Sequence, residues 1–231
     1  PGKIVFLMHA HLPFVRHPEY KRFFEENWLF EAIAETYLPL VQAMRRLLEK
    51  GVPGTLNLSI SSPLIEMLSD ENLIQKFSEH LKRQLELIEK EVARNAGTDL
   101  ESLSRFYLSR QQTLIDLWEN RIHRNLLSEF LELEKAHKLN LLTCVGTHPF
   151  LPAYQSDPAS IRMQLDVTVR CFERAFGRKP MGVWLPECGY FPGLDKYLAE
   201  FGLHYFFLET HGALLATPSP KYGVFTPLRT T

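Results

Sequence analysis

Five short apolar segments, each ending at a polar or charged residue, constrain the fold of this 231-residue chain most strongly. Parallel strands covered by helices are apolar along their length, so each segment predicts a buried strand. Between them, apolar residues recur three and four positions apart, which predicts helices. We therefore expect an α/β fold of parallel strands joined by right-handed crossovers. The predicted strands are residues 4–8, 56–60, 139–145, 181–185 and 205–208.

A long helical block separates the second and third predicted strands. Its apolar residues keep helical spacing, as in Leu81, Leu85 and Ile88. One crossover helix needs only about a dozen residues, so a block of this length predicts a subdomain of its own. We expect residues 1–69 and 139–231 to form the N-terminal part of a (β/α) barrel and residues 70–138 to form a helical insertion.

The composition favours a soluble protein with a neutral ligand. Hydrophobic residues make up 45% of the chain and the formal net charge is −1, so nothing electrostatic indicates nucleic acid or a membrane as partner. The three cysteines, Cys144, Cys171 and Cys188, lack the C-x-x-C spacing of thiolate metal sites. Their odd number argues against a disulfide framework. We therefore expect a reducing, cytoplasmic setting, with no visible targeting or membrane segment. The oligomeric state is not indicated.

Reactive side chains follow several predicted strands. His9 and His11 come after the first strand, His148 after the third, Glu187 after the fourth and His211 after the fifth. Strand ends of this kind share one face in α/β sheets and barrels, so these residues are expected to converge. His9 and His11 lie on the same side of an extended segment. Such a pair of imidazoles suits either metal binding or hydrogen bonding to the hydroxyls of a neutral ligand.

The strongest local signal is the segment Val-Trp-Leu-Pro-Glu-Cys-Gly-Tyr at residues 183–190. Glu187 directly follows a buried strand and a proline, and Trp184 and Tyr190 flank it with flat apolar rings. Such a partly desolvated carboxylate beside aromatic faces is typical of sugar sites. The alternative is an ordinary surface glutamate at the end of a strand.

Three motifs closely resemble, in order and spacing, the first three conserved regions of glycoside hydrolase family 57. The motifs are His-Ala-His-Leu-Pro at 9–13, Gly-Thr-His-Pro-Phe-Leu-Pro at 146–152 and Trp-Leu-Pro-Glu-Cys-Gly-Tyr at 184–190. Residues 28–32 and 34–37 also resemble the branch that contains 1,4-α-glucan branching enzymes and a related bacterial α-amylase. The resemblance extends from Ile4 to about Tyr222.

The resemblance implies an incomplete (β/α)7 barrel with an added helical domain. It implies retaining action on α-1,4-glucans such as amylose, glycogen and maltooligosaccharides, without a metal or cofactor. Glu187 matches the family's catalytic nucleophile. The positions matched to substrate binding are His9, His11, His148, Trp184 and Tyr190, with looser matches at His211 and Tyr222.

A retaining glycosidase also needs a second carboxyl group as its general acid. In the family this acid is an aspartate of a later conserved region, and nothing in residues 1–231 resembles that region. We therefore expect the chain as given to lack the acid. Asp195 and Glu209 are the nearest acids that could substitute, but neither lies in a matching motif.

Two alternatives belong to other classes. One is a metal-dependent amide or ester hydrolase of barrel type, with His9, His11, His148 and His211 as ligands, which would need a divalent metal to generate hydroxide. Elemental analysis would separate it from the glucan interpretation. The other is a glucan-binding protein without catalytic activity, which is consistent with the absent acid.

Overall fold

The structure is a computed structural model that describes residues 3–230, and it contains a five-stranded sheet. The strands follow one another across the sheet in chain order, and the pairs β1–β2, β3–β4 and β4–β5 are parallel. The predicted α/β fold with parallel strands is confirmed. The strands are β1 Leu7–Ala10, β2 Leu56–Ser61, β3 Leu139–Cys144, β4 Gly182–Trp184 and β5 Tyr205–Phe206.

The first strand begins later than its sequence predicts. Residues 4–8 were expected to form it, but Ile4, Val5 and Phe6 are 83%, 68% and 67% exposed and β1 covers Leu7–Ala10. The reason lies in the pairing, because Leu7 is opposite Asn57 and β2 itself begins only one residue earlier. His9 therefore lies inside the strand rather than after it.

Helices alternate with these strands, as the apolar spacing predicts. Gly51, with φ 64°, follows the second helix in the left-handed conformation expected there. The helices are α1 Glu26–Ala32, α2 Leu38–Glu49, α3 Ser62–Ser69, α4 Glu71–Arg94, α5 Glu101–Asp116, α6 Leu126–Lys135, α7 Pro158–Phe176, α8 Leu194–Glu200 and α9 Thr210–Leu214. Short 3₁₀ turns cover Leu151–Tyr154 and Pro186–Cys188, and π-helical turns cover Ile33–Tyr37 and Leu117–Arg121.

Pro39 interrupts the long first helix, as expected for a proline inside a helical pattern. A π-helical turn, Ile33–Tyr37, ends two residues before it and separates α1 from α2. Proline has no N–H to donate and its ring crowds the preceding turn. The wider π turn is one of the irregularities at which helices accommodate such a break.

The helix α7 begins and ends where its sequence signals predict. Asp157 caps its start by accepting a hydrogen bond from the backbone N–H of Ser160, and Pro158 occupies the first helical position. Gly177 ends it in the left-handed conformation at φ 69°. This helix carries the side chains that anchor one of the site loops described below.

The chain divides into two compact units. The first comprises the residues up to His11, Leu56–Ile65 and the residues from Asn140 onward, and the second comprises Leu12–Thr55 and Glu66–Leu139. The predicted domains, 1–69 with 139–231 and an insertion at 70–138, stay a prediction. Positions 1, 2 and 231 lie outside the described residues.

Each unit has its own apolar interior. In the first, β3 and β4 pack with α7 and α8. The buried side chains there are Val145, Leu151, Ile161, Leu165, Val183, Leu185, Phe191, Leu194, Leu198 and Leu203. In the second, the Trp118 and Phe77 rings meet edge to face at a centroid distance of 4.8 Å, and both are fully buried. Within residues 3–230, every helix is too short or too polar to span a lipid bilayer.

Candidate functional site

Three histidines and a tryptophan form a stacked aromatic cluster in the first unit. The rings of His9 and Trp184 stack at a centroid distance of 4.9 Å, and those of His11 and His148 at 3.9 Å. The Nε2 atoms of His9 and His148 lie 3.2 Å apart. The structure therefore brings together side chains from the first, third and fourth strands and the loops that follow them, and all three histidines keep partial exposure to solvent.

Two serines on β2 orient two of these histidines. His9 is opposite Ser59 in the strand register, and their Nδ1 and Oγ atoms are 3.2 Å apart. His11 Nδ1 likewise lies 3.0 Å from Ser61 Oγ. The repeat of histidine at positions 9 and 11 thus faces a repeat of serine at 59 and 61, because side chains two residues apart on a strand share a face.

The hydrogen bonds of Ser59 determine the tautomer of His9. The Ser59 hydroxyl donates its single proton to the backbone oxygen of Thr143, at 3.1 Å. Its contact with His9 must therefore be one in which His9 Nδ1–H donates and Ser59 Oγ accepts. The Nε2 atom of His9 keeps its lone pair, which faces His148.

His148 lies on a tight loop that α7 anchors. The Thr147 backbone N–H donates to Gln164 Oε1 at 2.9 Å, and the Gly146 N–H donates to Thr168 Oγ1. A Cβ atom at Gly146 would lie 1.9 Å from Gln164 Oε1 and 3.1 Å from the Gln164 backbone oxygen, so a larger residue here would require Gln164 to shift. His148 itself adopts φ 64°, a left-handed conformation that is uncommon for a residue other than glycine.

Cys144 and Trp184 occupy neighbouring positions on β3 and β4. They are opposite each other in the parallel register, so their side chains point to the same side of the sheet. Cys144 is fully buried and Trp184 is partly exposed. Burial raises the pKa of the Cys144 thiol, which therefore stays protonated at neutral pH.

The imidazoles of His9 and His11 are uncharged near neutral pH, because the pKa of each lies well below its usual value. Burial lowers the pKa of His9 from its usual 6.5 to about 4, and the neighbouring His148 and His11 lower it further by charge repulsion. Burial and His148 together lower the pKa of His11 to about 4. Neutral imidazole offers one donor and one acceptor, which suits the hydroxyl groups of an uncharged ligand.

Glu187 is exposed to solvent, which corrects the expectation of a partly desolvated carboxylate, and its backbone is strained. It follows Trp184 by three residues, lies in the turn Pro186–Cys188 and adopts φ 54° and ψ 24°. Left-handed conformations of this kind in residues with a Cβ cost roughly 1–2 kcal/mol and tend to cluster at functional sites. Burial is the main cause that raises the pKa of the Cys188 thiol, and the carboxylates of Glu209 and Glu187 raise it further. Glu209 therefore lies beside this turn as well.

The remaining predicted site residues lie at the edges of this arrangement or apart from it. Tyr190 stacks on Phe206 at 5.5 Å and its hydroxyl donates to Asp195 Oδ1 at 3.1 Å. His211 is exposed on the short helix α9, and Tyr222 is exposed in the following loop. Among residues 3–230, the ring contacts of the histidine cluster include neither His211 nor Tyr222.

One group of ligand atoms in the described part of the chain has the spacing to hold a metal ion. It consists of His9, Cys144 and His148, whose ligand atoms all lie within 4.8 Å of one another. The four-histidine metal set considered from the sequence is not assembled, because neither His11 nor His211 belongs to this group.

Sequence reasoning missed the residues that orient the cluster. Ser59 and Ser61 bond the rings of His9 and His11, and Gln164 holds the loop of His148. The spacing of the two serines, two residues apart like the histidines, is the signal that could have found the first two. Gln164 gives no such signal, since it lies in the middle of an amphipathic helix.

Comparison with known proteins gives matches to one family over nearly the whole chain. The model of glycosyl hydrolase family 57 matches residues 5–229. A 1,4-α-glucan branching enzyme of Thermococcus kodakarensis is 34% identical over 96% of this chain. That alignment covers 34% of the branching enzyme, so the chain spans about a third of the length of this relative.

Solved structures share the fold. An α-amylase from Thermotoga maritima has a TM-score of 0.91 and 40% identity, over 96% of this chain and 42% of its own. A branching enzyme from Pyrococcus horikoshii has a TM-score of 0.84 and 33% identity, over 92% of this chain and 43% of its own. These likenesses confirm the prediction that the sheet is part of an incomplete (β/α)7 barrel.

Proposed function

The chain belongs to glycosyl hydrolase family 57, and from that premise we propose that it carries the nucleophile and the donor-sugar site of a retaining enzyme acting on α-1,4-glucans. The observation that carries the proposal is the cluster of three histidines that packs against Trp184. Trp184 precedes Glu187 by three residues in the sequence. The relatives of the chain include branching enzymes and an α-amylase, and one related branching enzyme was crystallised in complex with glucose.

The histidine cluster suits a sugar because the imidazoles of His9 and His11 are polar and uncharged. His9 offers the lone pair of Nε2 as an acceptor, since Ser59 holds its proton on Nδ1. A sugar hydroxyl that enters the cluster donates to this atom and replaces the His9–His148 contact of 3.2 Å. Trp184 supplies the flat apolar surface on which sugar rings commonly pack.

Glu187 acts as the nucleophile in this proposal. Its carboxylate attacks the anomeric carbon and forms a glycosyl ester, while the glycosidic oxygen leaves with a proton from a second carboxylic acid. That acid must stand about 5–5.5 Å from Glu187 in a retaining enzyme. By the family resemblance it is an aspartate of a later region, which no segment of residues 1–231 resembles. Water or a glucan 6-hydroxyl then displaces Glu187, with hydrolysis or branching as the outcome.

Replacement of Glu187 by alanine in the full-length protein tests this role. Loss of the nucleophile is expected to reduce the release of reducing ends from amylose by about 10³-fold or more. Sodium azide should restore part of the activity and produce a glycosyl azide, because azide can take the place of the missing carboxylate. Glu173→Ala, at an exposed position on α7, is the matched control and should retain activity. Unchanged activity in Glu187→Ala would remove this residue from the mechanism.

The balance between hydrolysis and transfer is proposed to depend on the loop that carries Tyr222. This tyrosine is exposed, and the loop motif around it loosely resembles one linked to transfer in the family. A loop that covers the acceptor side excludes water and so favours attack by a glucan hydroxyl. Tyr222→Ala should therefore raise the ratio of reducing ends to α-1,6 linkages, both counted by proton NMR of amylose digests. An unchanged ratio contradicts this assignment.

A further inference from the structure

The three atoms that converge beside Trp184 suit a metal ion as well as a sugar. We propose that His9, Cys144 and His148 form an inhibitory site for a thiophilic divalent metal ion such as Zn²⁺, whose binding excludes the donor sugar. The exclusion rests on the proposed function of the same cluster, whereas the metal site itself does not. This set differs from the hydrolytic four-histidine set, because it contains a buried thiol and lacks His11 and His211.

The spacing of the two histidine ligands matches tetrahedral coordination. Zn²⁺ binds imidazole nitrogen at about 2.0–2.1 Å and thiolate sulfur at about 2.3 Å, so two tetrahedral nitrogen ligands stand about 3.3 Å apart. The Nε2 atoms of His9 and His148 are 3.2 Å apart, and the Cys144 Sγ atom lies within 4.8 Å of both. A site with three protein ligands leaves the fourth position to water. The partial exposure of His9 and His148 gives the ion a path from solvent.

A chain of hydrogen bonds fixes the first ligand in the form that binds metal. Thr143 O accepts from Ser59, and Ser59 accepts from Nδ1–H of His9. The lone pair of His9 Nε2 therefore already faces His148, and the Cys144 Sγ atom lies within 4.8 Å of the same nitrogen. Histidines that bind metals in proteins usually donate their second ring N–H in this way, and the partner sets both the tautomer and the orientation of the ring.

The chemistry balances with solvent as the proton acceptor. On binding, Zn²⁺ displaces the proton of the Cys144 thiol, which leaves to water, and forms the Zn–S bond. His148 moves its ring proton from Nε2 to Nδ1 without a net change. His11 stays outside the ligand set, because its ring lies face to face with His148 and its Nδ1 atom bonds Ser61. The ion then occupies the Nε2 lone pair of His9 that a sugar hydroxyl would need.

Cobalt provides the direct test. The metal-free protein, kept reduced by a phosphine, is titrated with Co²⁺, and a thiolate-to-cobalt charge-transfer band is followed in the near ultraviolet. We expect one Co²⁺ per chain with this band in the unaltered protein and in Cys188→Ser, the control at a cysteine outside the group. Cys144→Ala should lose the band, and its affinity for Zn²⁺ by calorimetry should fall at least ten-fold. No stoichiometric binding, or the same band in Cys144→Ala, overturns the site.

A second variant keeps the proposal testable if Cys144→Ala does not fold, as judged by circular dichroism. Ser59→Ala retains all three ligands but removes the partner of His9, and such changes typically weaken metal binding about 10–100-fold. Undiminished affinity in this variant contradicts the proposed ligand geometry.

Maltotriose binding in the presence of a chelator separates this proposal from the proposed function. Binding without metal and without any effect of Zn²⁺ supports the sugar site and overturns inhibition by metal. Stoichiometric Zn²⁺ with no maltotriose binding supports the metal site and overturns the sugar site. The expected result is that Zn²⁺ weakens maltotriose binding at least ten-fold in the unaltered protein and leaves it unchanged in Cys144→Ala.

Discussion

The Nε2 atoms of His9 and His148 lie 3.2 Å apart, although 139 positions separate the two residues along the chain. They reach each other across β2, which lies between β1 and β3 in the sheet. Ser59 on that middle strand holds His9 from one side through Nδ1. The pair therefore depends on the order of the strands and on the register of β1 with β2.

Removal of the Ser59 hydroxyl should change the tautomer of His9 and weaken sugar binding. In Ser59→Ala no acceptor holds the proton on Nδ1, so His9 can carry it on Nε2 and lose its role as acceptor toward the ligand. A single hydrogen bond of this kind contributes about 0.5–1.5 kcal/mol, which predicts a loss of roughly 2–10-fold in affinity for maltotriose by calorimetry. Nitrogen-15 shifts of the His9 ring report the tautomer directly. Ser156→Ala, at an exposed serine, serves as the control. An unchanged ring tautomer in Ser59→Ala would contradict this role.

Gly146→Ala should displace the loop that holds His148. The added Cβ atom would lie 1.9 Å from Gln164 Oε1 and 3.1 Å from the backbone oxygen of Gln164, and φ is positive at this residue. We expect the free energy of unfolding to fall by about 1–3 kcal/mol, as for other substitutions that overpack a tight site. Maltotriose binding should fall with it. Gly212→Ala is the control, since its Cβ would meet nothing closer than 3.9 Å. Equal unfolding midpoints in urea for the two variants contradict the expected clash.

The sequence predicts which residues are near the site better than it predicts how they are held. Strands of a parallel sheet end on one face, so the sequence alone places the ends of separate apolar segments together. The register of β1 with β2 could not be predicted in this way, because residues 4–6 are as apolar as the residues of β1 that pair with β2. The left-handed conformations of His148 and Glu187 also leave no sign in the sequence, since glycine is the residue that usually marks them.

The strain at Glu187 predicts a difference between two variants that both lack the carboxylate. Alanine keeps the Cβ atom that crowds the backbone at φ 54°, whereas glycine adopts this conformation without penalty. Glu187→Gly should therefore be more stable than Glu187→Ala by about 1 kcal/mol, the size expected when a left-handed residue loses its side chain. Urea unfolding of the two proteins measures the difference. Should the alanine variant prove the more stable, the backbone conformation described here is incorrect.

A buried ion pair in the second unit should make Lys76 a sensitive position. Lys76 Nζ donates to both carboxylate oxygens of Glu26, at 2.7 and 2.9 Å, and to His17 O at 2.8 Å, and both side chains are at least 90% buried. Lys76→Met leaves a buried carboxylate without its partner, and we expect a loss of about 3–5 kcal/mol in the free energy of unfolding. Adding Glu26→Gln should recover part of that loss, because the uncompensated charge is removed.

The control for that experiment is the exposed pair of Lys135 and Glu132. Their side chains are 62% and 59% exposed, and Lys135 Nζ lies 2.7 Å from Glu132 Oε1. Exposed pairs contribute little, so Lys135→Met should change the free energy of unfolding by less than about 1 kcal/mol. Similar losses in Lys76→Met and Lys135→Met would show that burial does not govern the contribution of the first pair.

His80 should make the protein less stable in mild acid. Burial against Phe30 and Phe77 lowers its pKa from the usual 6.5 to about 4, and the charge of Arg83 adds to the effect. Between these two values the unfolded chain binds a proton at His80 that the folded chain does not, so stability falls as the pH drops from 6.5 to 4. The shift sets an upper limit of about 3 kcal/mol on the loss of stability, which solvent around this half-buried ring reduces to roughly 1–2 kcal/mol.

Urea unfolding at pH 7 and at pH 4.5 should show a smaller loss of stability in His80→Gln than in the unaltered protein. His204→Gln, at an exposed histidine, should behave like the unaltered protein, and an equal loss in all three would exclude His80 as a source of acid sensitivity.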